Sequence, residues 1–200
     1  ETWTEDKLQS YGGTIEWAWT AEGQYGNVYW SLNDGYLYMY SSSDMDDQTS
    51  ASGYPWYAYR AYIDSAYIDT KNVGDYMLEG FTELEWVEIG ENVSEIGTKA
   101  FSGCSKIFSI SFDGDAPVIA SNAFAGVSAQ ANYAGNNETW TAAKRQNYGG
   151  TLDWYAAPYV IDGGAYGDLR WEYNSDGNLL VYGGADMESQ TSASGYPWYK

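Results

Sequence analysis

The chain has 200 residues and a formal net charge of −19, with 28 acidic residues, nine basic residues and no histidine. A surface of this charge repels phosphate, which argues against a nucleic acid partner and against an anionic membrane surface. The lack of histidine removes the commonest general base and zinc ligand, and no apolar run of about 20 residues exists that could insert into a membrane.

The aromatic residues are also unusual, with ten Trp and 21 Tyr against five Phe. Trp and Tyr combine an apolar body with a polar tip, so this bias favours aromatic side chains at half-wet surfaces. Strand propensity alone is an alternative explanation. The chain begins with Glu1 rather than Met, and we therefore expect it to be an excised piece of a longer protein.

The first predicted elements are two strands joined by Asn33-Asp34-Gly35, which is typical of a tight hairpin. Apolar residues alternate with other residues along both strands, which predicts one face toward the core. That predicted core set is Val28, Trp30, Leu32, Leu37 and Met39. The predicted outer set is Tyr29, Tyr36, Tyr38 and Tyr40. These tyrosines are a candidate carbohydrate platform, and the alternatives are cross-strand packing on an exposed sheet and burial against a neighbouring module.

A polar segment follows this hairpin and has a partner later in the chain. Asp44, Asp46, Gln48 and Ser50 alternate oxygen ligands, and the later segment repeats the pattern with Asp186, Glu188, Gln190 and Ser192. The pattern resembles the start of a calcium loop, but the central Gly and the distal Glu of an EF-hand are missing. A solvated polar turn is the better interpretation, so we expect no cofactor and keep calcium as a minor alternative.

The middle of the chain repeats with a period of 23. Gly80, Gly103 and Gly126 keep this spacing, and apolar residues at Leu84, Val87 and Ile89 recur in the next unit. Such a period with an L-x-x-L-x-L core predicts leucine-rich repeats, in which stacking supplies the core that a single unit lacks. We predict a strand, a turn and a short helical piece in each unit, the helical piece exemplified by Gly97–Phe101. The single Cys104 excludes an internal disulfide and is expected to be a small buried core residue.

The ends of the chain are duplicates of each other. Glu1-Thr2-Trp3-Thr4 returns as residues 138–141, and the ten-residue block that starts at Gln48 returns whole from Gln190. Residues 1–57 and 138–199 therefore form two copies of one unit. We predict three parts: a cap segment plus the first β module (1–62), the repeats (63–136), and a cap segment plus the second β module (137–200).

The second copy provides an internal control for the first. Its core positions are Leu169, Trp171, Tyr173, Leu179 and Val181. Its outer positions are Arg170, Asn178, Leu180 and Tyr182, so the outer aromatics are concentrated in the first copy. Trp56 and Trp198, inside the repeated Tyr-Pro-Trp-Tyr string, are predicted to close the end of the repeat core. Trp17 and Trp154 alternate with apolar residues and are also assigned to the core.

Several strings resemble a known family. Residues 96–104, Ile-Gly-Thr-Lys-Ala-Phe-Ser-Gly-Cys, look like the BspA-like (treponemal-type) leucine-rich repeat of bacterial surface proteins, and residues 116–127 resemble the way such arrays close. Residues 137–154 resemble the short helix and strand that cap them. The combination also resembles, more loosely, the surface-anchored cellulose-binding proteins of rumen and gut bacteria. The resemblance implies an extracellular location on the bacterial cell surface and a role in adhesion or polysaccharide attachment.

Within the repeats, Trp86 is predicted to point outward between Glu85 and Glu88, with Tyr67 and Phe108 on neighbouring strands. Burial of Trp86 under the adjoining module is the alternative. The predicted carbohydrate site is therefore Tyr29, Tyr36, Tyr38, Tyr40, Tyr67 and Trp86. No catalytic motif is recognisable, which predicts a non-catalytic region that binds cellulose or another β-glucan. The competing hypothesis is a structural or adhesive module that binds a protein.

Overall fold

The computed structural model describes residues 20–184 and 192–199, and the regular secondary structure of this part of the chain is almost entirely β. The strands are β1 Thr20–Tyr25, β2 Val28–Asn33, β3 Tyr36–Tyr40, β4 Ser65–Asp69, β5 Asn72–Val73, β6 Trp86–Ile89, β7 Glu95–Ile96, β8 Ser109–Phe112, β9 Val118–Ile119, β10 Ser128–Ala134, β11 Thr151–Ala157, β12 Val160–Tyr166, β13 Leu169–Asn174 and β14 Leu179–Tyr182. Eight of these strands form one sheet in the order β1-β2-β3-β4-β6-β8-β10-β11, and the other six form two three-stranded sheets.

The first module is continuous with the repeats. Strands β1, β2 and β3 form an antiparallel meander, and β3 then pairs in parallel with β4, the first repeat strand. The β2–β3 turn has Asp34 and Gly35 at positive φ (48° and 84°), which is the turn chemistry that the sequence predicted. The predicted core set of this hairpin is buried, which confirms the alternation. Parallel pairing then continues from β4 through β6, β8 and β10 to β11.

The repeats form a coil with two parallel sheets and a row of turns. The short strands β5, β7 and β9 make the second sheet. Aromatic side chains stack between coils, and the Phe101 and Phe124 ring centroids are 5.1 Å apart with an interplanar angle of 1°. Cys104 is fully buried, as predicted, and burial raises the pKa of its thiol to about 12. Mainly β architecture with a leucine-rich-repeat stack is thus the observed fold class.

The helical piece predicted over Gly97–Phe101 is wrong. Residues 98–103 form turns, with Lys99 in the left-handed region at φ 53°. Two backbone N–H groups of this segment donate to the following coil, Phe101 to the Ala123 carbonyl and Gly103 to the Ala125 carbonyl. Because these donors are satisfied across coils, the segment has no need of the i to i−4 bonds of an α-helix. The helices that the structure describes are short 3-10 turns, such as Ala51–Gly53 and Pro55–Tyr59.

Aromatic side chains close both ends of the repeat core. At one end Trp56 is fully buried and its Nε1 donates to the Met77 carbonyl oxygen at 3.1 Å, which agrees with its predicted structural role. At the other end the buried Trp140 donates from Nε1 to the Gly114 carbonyl oxygen at 3.1 Å and packs against Phe112 and Trp154. Trp154 is half-buried against this core, whereas Trp17 lies outside the described residues.

The second module is an antiparallel sheet of its own, in the order β12-β13-β14. Leu169 and Trp171 are buried as predicted, but three other positions of the predicted core set are exposed: Tyr173, Leu179 and Val181. The reason is that, within the described residues, β14 pairs only with β13, and no repeat strand lies against its other edge. The prediction of a complete core in this copy is therefore wrong for this part of the chain. The three-part domain division stays a prediction.

Candidate binding face

The outer face of the eight-stranded sheet collects the residues of the predicted carbohydrate site. The register of the strands arranges the outward side chains in rows that run across the strands. One row reads Asn33, Tyr36, Ser65, Trp86, Ser109, Gln130 and Asp153. The next row reads Ser31, Tyr38, Tyr67, Glu88, Ser111, Asn132 and Tyr155. Four of the six predicted site residues lie in these two rows, which we call the binding face: Tyr36, Tyr38, Tyr67 and Trp86. The other two, Tyr29 and Tyr40, lie in the next row of the same side of the sheet.

In the first row, Tyr36 and Trp86 are separated by one strand, β4. Neighbouring strands are about 4.8 Å apart, so the two residues lie roughly 10 Å apart along the row. The positions on either side of Trp86 are Ser65 and Ser109. Small side chains beside the indole leave space for a ligand next to its ring, and both Tyr36 and Trp86 are partly exposed.

In the second row, the Tyr38 and Tyr67 rings stack with centroids 5.3 Å apart and an interplanar angle of 7°. Such a pair is worth about 0.5–1.5 kcal/mol beyond its burial. Partial burial and the carboxylates of Asp69 and Asp113 raise the pKa of Tyr67 to about 12, so its hydroxyl stays a proton donor at neutral pH. The two rings therefore form a stacked aromatic pair within the second row.

The remaining two tyrosines lie beyond the second row. Tyr29 and Tyr40 are direct partners on β2 and β3, and both are well exposed. The Tyr29 hydroxyl donates to Glu22 at 2.8 Å, and this bond raises the pKa of Tyr29. The Tyr40 position is followed across the sheet by Asp69. These two rings extend the aromatic surface along β2 and β3 of the first module.

Acidic side chains lie directly beside the aromatics. Partial burial raises the pKa of Glu88, and the charge of Asp113 and a hydrogen bond with it raise this pKa further. Partial burial and the nearby Asp69 carboxylate raise the pKa of Asp113. Asp69 itself is buried, and it accepts hydrogen bonds from the backbone and side chain of Asn92. The face therefore offers hydrogen-bond acceptors and negative charge close to the tyrosines.

Sequence reasoning missed several of these neighbours. Ser65 and Ser109 flank Trp86, whereas Phe108, which was expected near it, lies one residue before β8 and is strongly exposed. The Glu88 and Asp113 pair was also missed. The 23-residue period could have aligned Trp86 with Ser109, because strand partners in a repeat stack follow the period. The contact of Glu88 with Asp113 joins residues 25 apart and has no such signal.

Several residues of the polar segment considered for calcium have partners within the protein. Asp44 forms an ion pair with Lys71 at 3.1 Å, and Asp47 accepts a hydrogen bond from the Asp75 backbone N–H at 3.0 Å. Asn72 bonds to both the N–H and the carbonyl of Met45. In residues 20–184 and 192–199, no group of three or more acidic or cysteine side chains is arranged to hold a metal ion. Asp186, Glu188 and Gln190 lie outside the described residues.

The family comparison agrees with the repeat geometry. A family model described as the BspA type leucine-rich repeat region matches residues 61–141 with six copies. A crystal structure of a leucine-rich repeat protein from Eubacterium ventriosum is similar to the chain, with 15% identity and a TM-score of 0.44. That likeness covers 75% of this chain and 46% of the other, so the chain spans less than half of that structure. No curated protein matches the chain. Within the described residues, no helix has the length and apolar character needed to cross a membrane.

Proposed function

Because residues 61–141 are a BspA-type leucine-rich-repeat region, we propose that this chain is a non-catalytic attachment region of a bacterial cell-surface protein. Its ligand is a linear β-linked polysaccharide such as cellulose or another β-glucan, held on the binding face. The observation that carries this proposal is the placement of Tyr36 and Trp86 in one row with strand β4 between them, and with serines on either side of the indole.

The chemistry of the binding face suits such a ligand. Sugar rings have flat C–H surfaces that pack on aromatic rings, while their hydroxyls need polar partners at the rim. Spacing of roughly 10 Å along the row, from two strand intervals, is close to the length of one disaccharide unit. Tyr67, Glu88 and Asn132 in the neighbouring row supply donors and acceptors for the hydroxyls. Several weak contacts along one chain reinforce each other through effective concentration.

Affinity electrophoresis in gels that contain soluble β-glucan, with a pull-down on insoluble cellulose, tests this proposal. The paired change Tyr36→Ala and Trp86→Ala should weaken binding about 100-fold, on the order of 1.4 kcal/mol for each ring. Tyr173→Ala is the matched control, because Tyr173 is an exposed aromatic on a separate sheet. Unchanged binding by the double variant, with the control also unchanged, would remove the binding face as the sugar site.

A protein ligand is the second candidate, and the carboxylates at Asp69, Glu88 and Asp113 favour it. Tyrosines beside acids form a surface that a basic partner complements, and Tyr and Trp are the side chains that dominate protein interfaces. Ionic strength separates the two candidates. Stacking on a neutral sugar should be nearly independent of salt, whereas attraction of a basic protein should fall steeply between low and physiological salt.

A further inference from the structure

The two modules fold to the same internal geometry. In the first module the centroids of the Tyr25 and Trp56 rings are 5.8 Å apart with an interplanar angle of 79°. The centroids of the equivalent Tyr166 and Trp198 rings are 6.0 Å apart with an interplanar angle of 74°. The three other ring pairs of this cluster also recur. The centroid distances in the first and second modules are 5.3 Å for Tyr25–Tyr54 and 5.7 Å for Tyr166–Tyr196, 6.2 Å for Trp30–Trp56 and 6.1 Å for Trp171–Trp198, and 5.0 Å for Tyr54–Trp56 and 5.1 Å for Tyr196–Trp198. The second module therefore presents the same shape as the first.

The modules differ in what lies against their last strand. In the first module β3 pairs in parallel with β4, and Leu37 and Met39 are both 0% exposed. The equivalent residues of β14 are Leu179, 43% exposed, and Val181, 38% exposed. Among the described residues, β14 thus has an unpaired edge and two exposed apolar side chains at the place that the repeats cover in the first module. An uncovered edge of this kind is a template for strand addition.

We propose that β14 is the docking edge of a second leucine-rich-repeat stack, whose first strand pairs with β14 in parallel as β4 pairs with β3. The occupant is defined by the first module: a strand with a small and a β-branched residue inward, like Ala66 and Ile68. The repeat stack of a second copy of this chain does not fit, since β4 already has β3 and β6 on its two edges.

The chain path toward this edge is also repeated. In the first module Tyr54-Pro55-Trp56-Tyr57 forms a turn in which the Tyr57 N–H donates to the Tyr54 carbonyl at 3.2 Å, shortly before β4 begins. The same string returns at residues 196–199, and the Tyr199 N–H donates to the Tyr196 carbonyl at 3.2 Å. The second module thus reproduces both the surface and the turn that lead into a repeat stack.

The experiment extends the full chain by a second copy of residues 59–157 after Lys200, the position equivalent to residue 58. Hydrogen exchange of residues 179–182 reports the docking edge. Cys104→Ala in the original stack leaves a single cysteine in the added stack, and because this position is fully buried, slow thiol labelling reports that the added stack has folded. The matched control carries Leu179→Lys and Val181→Lys in the same extended chain.

If the proposal is right, exchange at residues 179–182 slows on the order of 100-fold relative to the unextended chain, since strand amides inside a sheet exchange only by opening the structure. The added cysteine becomes protected, and the double-lysine control loses the slow exchange. A protected cysteine with unchanged exchange at 179–182 would mean that the added stack folds without docking. An unprotected cysteine would mean that this edge cannot start a stack. Either result overturns the proposal.

Discussion

The first and second modules share a sequence and an aromatic cluster, but only the first has its apolar strand covered. Trp56 is fully buried on the repeat core, whereas Trp198 is half-buried. Leu37 and Met39 are completely enclosed, and their equivalents Leu179 and Val181 are exposed. The comparison teaches that the shape of the module comes from its own aromatic cluster, while completion of its core depends on the strand next to it.

The comparison is tested most strongly by truncating the equivalent tryptophans. Trp56→Ala should lower the free energy of unfolding by about 3–5 kcal/mol, because it leaves a cavity and removes the hydrogen bond to Met77. Trp198→Ala should lower it by less than half as much, since that ring has fewer packed neighbours to lose. Urea unfolding followed by circular dichroism measures both. Equal losses would mean that the repeats contribute nothing to the stability of the first module.

A second test compares the strands that differ in cover. Met39→Ala should cost about 2–5 kcal/mol, the usual range for a buried methionine. Val181→Ala at the equivalent position should stay within about 0.5 kcal/mol, as expected for an exposed side chain. The same urea titrations compare the two variants. A large loss for Val181→Ala would show that β14 is covered in solution by something that the described residues do not contain.

The smallest expected effect concerns Glu88 on β6 and Asp113 directly after β8, in the repeats next to the first module. The pKa of Glu88 is raised in the folded protein, so the folded state binds its proton more tightly than the unfolded state, and stability falls as pH rises through this pKa. Glu88→Gln should therefore raise the free energy of unfolding by ~0.5 kcal/mol at pH 7, the size of an exposed charge interaction, and by little at pH 4.

Thermal unfolding at the two pH values measures this difference. Asp176→Asn serves as the control, because it removes one negative charge at an exposed position in the turn between β13 and β14, which belong to a separate sheet. A gain of the same size from both variants would point to the overall negative charge rather than to this pair.

Local patterns in the sequence were sufficient for the hairpin of β2 and β3. Alternation assigned Val28 and Trp30 to the core and Tyr29 to the outer face, and Asp34-Gly35 supplied the turn. The period likewise predicted the stack. These features depend on residues that are close in sequence or equally spaced, which is why they are readable without a structure.

Features that depend on a neighbouring strand were not readable. The pairing of Tyr38 with Tyr67 requires β3 to meet β4 in parallel across an irregular connection of 24 residues. The exposure of Leu179 depends on a missing neighbour and not on its own strand pattern. The helix expected over Gly97–Phe101 failed because five residues cannot reveal whether their N–H groups bond within the segment or to the next coil.

The bonds between coils have one more consequence. Each coil donates its turn N–H groups to the following coil, so successive coils meet through the same contacts: Gly80, Gly103 and Gly126 succeed one another at these turns. A 23-residue unit gained or lost inside the stack would therefore recreate the junctions it interrupts. Such an event shifts β11 relative to β3 by one strand interval, about 4.8 Å. The length of the array can therefore change during evolution by whole repeats, while the surfaces at both of its ends keep their structure.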